Sequence, residues 1–122
     1  MQQEQTLAEM HRTFARNTNS RVWQLLEAPH RSAREDDELL YAAYASCYHW
    51  LQVGTRVHQQ RGEYLIARAY MSLNNAVQAL DHATTCLQLT EQCQAEMQDF
   101  DRAFAYEIYA RAAAMNGTWT KL

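Results

Sequence analysis

The sequence predicts an all-α fold, one domain over residues 1–122 built from about five helices. Three observations predict it. Only three glycines and one proline interrupt the chain, so the punctuation that strands and tight turns need is nearly absent. Ala, Leu, Gln, Glu and Arg are plentiful, and these residues lose little on entering a helix. Apolar side chains then recur every three or four positions in five successive segments, the period at which a helix buries one face. At 48% apolar content the chain is long enough to enclose one core.

In the first segment Leu7, Met10, Phe14, Thr18, Val22 and Leu25 keep one phase, predicting a helix from about residue 4 to residue 27, stopped by Pro29. The polar Asn-Thr-Asn-Ser at 17–20 competes for the backbone and offers an alternative break. Ser32 and Glu35 then form a capping box, and the acidic run at 35–38 falls where the helix dipole is positive. Capping accounts for those carboxylates without a metal or an acid–base role. Helix two is expected to bury Leu40, Ala43, Cys47, Trp50 and Leu51 before Gly54 closes it and Thr55 caps the next. So short a link makes helices two and three antiparallel neighbours.

Helix three, about 56–73, places Gly62, Ile66, Ala69, Tyr70 and Leu73 on its core face, where Gly62 marks close approach by another backbone. An Asn74–Asn75 turn leads to helix four, about 76–93, with Val77, Leu80, Ala83, Cys86, Leu87 and Cys93 on one side. Helix five, about 100–116, shows Phe104, Ile108, Ala112 and Met115, with Asp99 as its cap and Gly117 as its stop.

A net charge of −3 gives no long-range pull on phosphate, and five Arg against three Glu in the first 34 residues is too small an excess to indicate nucleic acid. No basic segment leads into an apolar run at the N-terminus, and no apolar run is long enough to span a bilayer. A soluble chain without an export signal or membrane partner is expected. Cys47, Cys86 and Cys93 are odd in number, lack Cys-x-x-Cys spacing and suit the reduced, buried thiols of a cytoplasmic protein.

His49 follows Cys47 by two positions on a helix, which turns the two side chains to different sides. His82 and Cys86 share a face but are two ligands where zinc needs three or four. No metal and no other cofactor is expected. Glycine-rich phosphate loops, His-Glu-x-x-His and serine elbows are absent. Tyr44, Trp50, Tyr64 and Tyr70 read as fillers between helices. One enzymatic or ligand-sensing alternative remains, a pocket around Tyr44, Cys47, His49, Trp50, His58 and Glu63.

The run LIARAYMSLNN at 65–75 aligns without gaps to IYARAAAMNGT at 108–118, an offset of 43 residues. In the unit that follows the first copy, Tyr70, Leu73, Ala79, Leu80, Leu87 and Leu89 stand where the tetratricopeptide repeat places its Tyr, Leu, small Ala, aliphatic residue and closing leucines. Here the chain resembles that family. Residues 64–89 cover nearly one repeat and 106–119 the first helix of another. Ala67 and Asn74 stand where the family has Gly, no Trp opens helix three, and the offset exceeds the usual length of about 34 residues. The stretch YHWLQVGT with RGE downstream is similar to a group of bacterial tetratricopeptide-like proteins of unassigned function.

The resemblance implies a short right-handed stack of hairpins and a non-enzymatic role in binding or self-association. It implies that the first helix of each pair faces a groove for a protein or peptide partner, which makes Arg61, Tyr64, Arg68, Glu107 and Arg111 the groove candidates. Arginine forks suit carboxylates and Tyr64 offers a flat apolar body, although Glu107 and Arg111 are also an ordinary helix pair four apart. Each hairpin in such a stack needs a neighbour to cover it. Only five residues follow Gly117, so Phe104, Ile108, Met115 and Trp119 are expected to keep an apolar flank for a second protomer. That predicts a homodimer, or a chain truncated from a longer ancestor, with the first helix folding back over the flank as the alternative.

Overall fold

A computed structural model describes residues 5–117. Its five helices are α1 (Leu7–Glu27), α2 (Ala33–Val53), α3 (Arg56–Ser72), α4 (Ala76–Gln92) and α5 (Asp99–Met115), with a 3-10 turn at Gln94–Glu96 and no strand among the described residues. Each helix packs on the next, and α3 also touches α1 and α5, so α3 lies at the centre of the array.

Local chemistry sets the helix ends. Thr6 accepts a hydrogen bond from the Glu9 amide at 3.1 Å and starts α1, and Ala28 turns extended just before Pro29. The polar stretch at 17–20 does not break α1, because the Thr18 hydroxyl donates back to the Phe14 carbonyl at 2.7 Å. The expected box at α2 is complete: the Glu35 amide donates to Ser32 at 3.1 Å and the Ser32 amide donates to Glu35 at 3.0 Å. The Ser32 amide, and then its hydroxyl, hold the Glu35 carboxyl below its ordinary value. Glu38 of the same acidic run takes a forked ion pair from Arg21, at 2.8 and 2.9 Å, and ties α2 to α1.

Helix α5 departs from expectation at its start. Gln98 is the cap residue, and its amide donates to Asp101 at 2.9 Å, while Asp99 instead pairs with Arg102. The carboxylate one turn into the helix reaches the free amide better than the one at its first position. Gly62 does mark a close approach, but the neighbour is a side chain, since a Cβ there would stand 2.7 Å from Cys47 Sγ.

Two core clusters share α3. Val22, Leu25, Leu39, Ala43, Leu65, Ile66 and Ala69 join α1, α2 and α3, whereas Ala67, Ala79, Ala83, Ile108 and Ala112 join α3, α4 and α5. Alanines dominate the second cluster, so these helices approach closely. Leu7, Phe14, Leu51, Val77 and Phe104, expected on core stripes, are exposed. The burial of α2 centres on Leu39, Ala42, Ala43 and Ser46, rotated away from the stripe drawn through Leu51. Small residues decide which face can come nearest a neighbour, and a pattern weighted by large side chains misplaces it.

Candidate functional site

Three of the groove candidates meet at one place, on the face shared by α1, α3 and α5. Arg61, Tyr64 and Arg68 step along α3 by three and four residues and so share one side of the helix. Beneath them Gln60 is fully buried, its amide donating to Thr90 at 2.9 Å and to the Asp101 carbonyl at 3.1 Å, which joins α3 to α4 and α5. A cleft of about 210 Å³ opens above it, walled by Trp23 from α1, Tyr64 from α3, and Phe100 and Phe104 from α5.

Arg61 is committed within this site. Its guanidinium makes a forked pair with Asp101, at 2.8 and 3.0 Å, and lies 5.0 Å over the Phe100 ring. Burial pushes the Asp101 carboxyl up, but the bonds from Arg61 and the Gln98 amide outweigh it and hold the group below its ordinary value. Tyr64 stacks on Phe104 with ring centres 5.6 Å apart and planes inclined by 19°. Arg68 donates to the Tyr64 hydroxyl at 3.0 Å and sits 5.5 Å over Trp23, with no carboxylate in ion-pair range among the described residues.

Glu107 and Arg111 do not join the cleft. They pair with each other at 2.7 and 2.9 Å, farther along α5 on its exposed surface. Trp23, Phe100, Phe104 and Asp101 complete the site and were missed as groove residues. One signal was present: the 43-residue shift that relates Arg68 to Arg111 also relates Arg61 to Phe104.

The expected self-association set does not form one patch. Ile108 is fully buried in the second core cluster, Phe104 is engaged with Tyr64 in the cleft, and Met115 stands at the edge of α5. Trp119 lies outside the described residues. Ile108 is withdrawn from solvent because it packs against the alanines of α3 and α4, the contact a stacked hairpin requires.

The alternative pocket is only partly assembled: Tyr44, Cys47 and Glu63 line one cleft of about 270 Å³, and His49, Trp50 and His58 lie outside it. His49 faces His11 of α1, Nδ1 to Nδ1 at 2.8 Å, and Trp50 stacks on His58 at 4.2 Å. Tyr44 and Glu63 meet elsewhere, through His82: its Nε2 lies 3.1 Å from the Tyr44 hydroxyl and its Nδ1 2.6 Å from Glu63. The Tyr44 hydroxyl also bonds Tyr70 at 2.8 Å, so this network fixes α2, α3 and α4 together. Cys47 is wedged against Gly62, and burial pushes its thiol up to about 11, away from nucleophile chemistry. All three cysteines are free thiols, and no helix among the described residues is long and apolar enough to cross a membrane. None of the protein families, curated proteins or solved structures compared with this chain matches it.

Proposed function

We propose that this chain is a non-enzymatic interaction module of the tetratricopeptide type, working in the cytoplasm, that holds a peptide segment of a partner protein on the face shared by α1, α3 and α5. One observation carries the reading. Against Trp23 and Tyr64, two walls of an aromatic cleft, lies a guanidinium, Arg68, whose forked donors are taken by no carboxylate among the described residues.

A large apolar side chain of the partner enters between Trp23 and Phe104, and Arg68 takes a carboxylate next to it. Arg61 has a different part. Its pairing with buried Asp101 sets the spacing of α3 and α5, so the cleft exists before the ligand arrives and less ordering is needed on binding. The stacking of each helix on the next, with α1, α3 and α5 meeting at one face, supports a repeat architecture for the groove.

Selection of a random peptide display library on the purified protein tests the proposal. Enriched peptides carry a large apolar residue near a carboxylate, and by calorimetry Tyr64→Ala or Arg68→Ala weakens them by roughly tenfold or more. Failure to enrich any peptide, or peptides indifferent to both changes, overturns it.

A further inference from the structure

Helix α2 turns an apolar seam away from the core. Tyr41, Tyr44, Tyr48 and Leu51 are 73%, 40%, 56% and 63% exposed, while Leu39, Ala42, Ala43 and Ser46 bury the opposite side. The steps along the seam are three, four and three residues. That alternation is the narrow stripe by which one helix packs along another, not the broader one that seats a helix on a globular core. Ring contacts extend the surface onto α1: Tyr48 lies 5.2 Å from His49, and His49 lies 5.4 Å from the exposed Phe14.

We propose that this seam binds a second copy of the chain, α2 against α2 and antiparallel, about a two-fold axis level with Ser46. The arrangement sets Tyr41 of one protomer on Leu51 of the other and Tyr44 on Tyr48, each pair occurring twice, so the seam closes with no charged residue inside it. Charge complementarity selects a second copy running antiparallel. Asp37 lies at the start of the seam and Arg56 just past its end, both exposed and without an ion partner among the described residues. Antiparallel pairing brings Asp37 of each protomer to Arg56 of the other, whereas parallel pairing places like charges together.

The area suits a reversible dimer. Counted with Phe14, the seam exposes roughly 550–600 Å² of residue surface per protomer, about two thirds of the ~800 Å² per partner of a standard interface. A cleft of about 270 Å³ beside Tyr44, Cys47, Tyr48 and Leu51 flanks it as a receptor for the opposing rings. The Tyr44 hydroxyl, bonded to Tyr70 and His82, fixes its ring before association. The seam shares no residue with the peptide cleft, and neither proposal depends on the other.

Sedimentation equilibrium of the full chain over a range of concentrations tests this. Wild type is a dimer, and Tyr48→Glu raises its dissociation constant roughly tenfold or more while leaving the helical circular dichroism unchanged. Asp37→Arg and Arg56→Asp each weaken the homodimer by about threefold to tenfold, and mixing the two restores a heterodimer, because both contacts regain opposite charges. A monomeric wild type, a dimer indifferent to Tyr48→Glu, or a mixture no tighter than either variant alone overturns the proposal. So does a dimer lost in Tyr109→Glu and kept in Tyr48→Glu, which moves the interface to α5.

Discussion

Helices α3 and α5 are built alike and packed differently. Both have 17 residues, and the 43-residue offset carries Arg56–Ser72 onto Asp99–Met115 end for end. The same offset relates their caps: His58 accepts from the Thr55 amide at 3.1 Å, and Asp101 accepts from the Gln98 amide at 2.9 Å. It also relates their stops, where Asn74 has φ 60° and Gly117 has φ 70°, each amide donating to the carbonyl three residues back, of Met71 and Ala114. Leu65 and Ile108 are both buried, as are Ala69 and Ala112. Ile66 and Ala67 are fully buried too, but their counterparts Tyr109 and Ala110 are exposed. Helix α3 has neighbours on both sides and α5, among the described residues, on one. Sequence similarity therefore transmits the backbone and one contact face, and the count of neighbours decides the other.

The largest expected effect breaks the pair apart. Ala67→Glu forces a carboxylate into the alanine contact of α3, α4 and α5 and costs more than about 4 kcal/mol, whereas Ala110→Glu stays within about 0.5 kcal/mol. Urea unfolding of both variants decides it, and an equal cost at the two sites means that something covers α5 in solution.

A smaller effect probes the α5 cap, the carboxylate one of this pair. Asp101→Asn removes an acceptor from Arg61 and costs about 1–3 kcal/mol at neutral pH. The Asp101 carboxyl lies below its ordinary value in the folded chain, so its contribution is full above the unfolded value of about 3.9 and lost as pH falls through the lower folded one. The gap between wild type and Asp101→Asn therefore narrows in acid, which unfolding curves across that range check. A gap that widens contradicts the pairing.

The smallest effect compares the stops. Ala at either left-handed position is strained, and Asn74→Ala and Gly117→Ala each lower stability by about 1–2 kcal/mol, while Asn74→Gly raises it by up to about 1 kcal/mol. Thermal melts of the three variants resolve the order.

Part of the cleft was legible before any coordinates. Arg61, Tyr64 and Arg68 follow from helical spacing and the resemblance to the tetratricopeptide repeat, because positions three and four apart share a face whatever the rest of the chain does. Trp23 and Phe100 were not legible, since nothing near them in sequence says which distant helix they oppose. Glu107 and Arg111 satisfied the same spacing and still fell outside, as each supplies the other's partner. Of the exposed tyrosines of α2, Tyr41 and Tyr48 went unread and Tyr44 was read as a filler, for a related cause: a large apolar residue at helical spacing is usually buried, and Leu51 was counted as core on that ground.

By itself the sequence determined the helices, the caps at Ser32 and Thr55, the turn at Asn74 and the repeat between α3 and α5. Those features are decided by residues within about four positions of one another, through hydrogen bonds that close inside a single turn. Only the tertiary structure decided which face of each helix is core, that Ile108 is withdrawn while Tyr109 is not, and that Asp101 spends its carboxylate on Arg61. Those outcomes depend on segments tens of residues apart and on how closely alanine faces let two helices meet, and no local pattern in the chain encodes that distance.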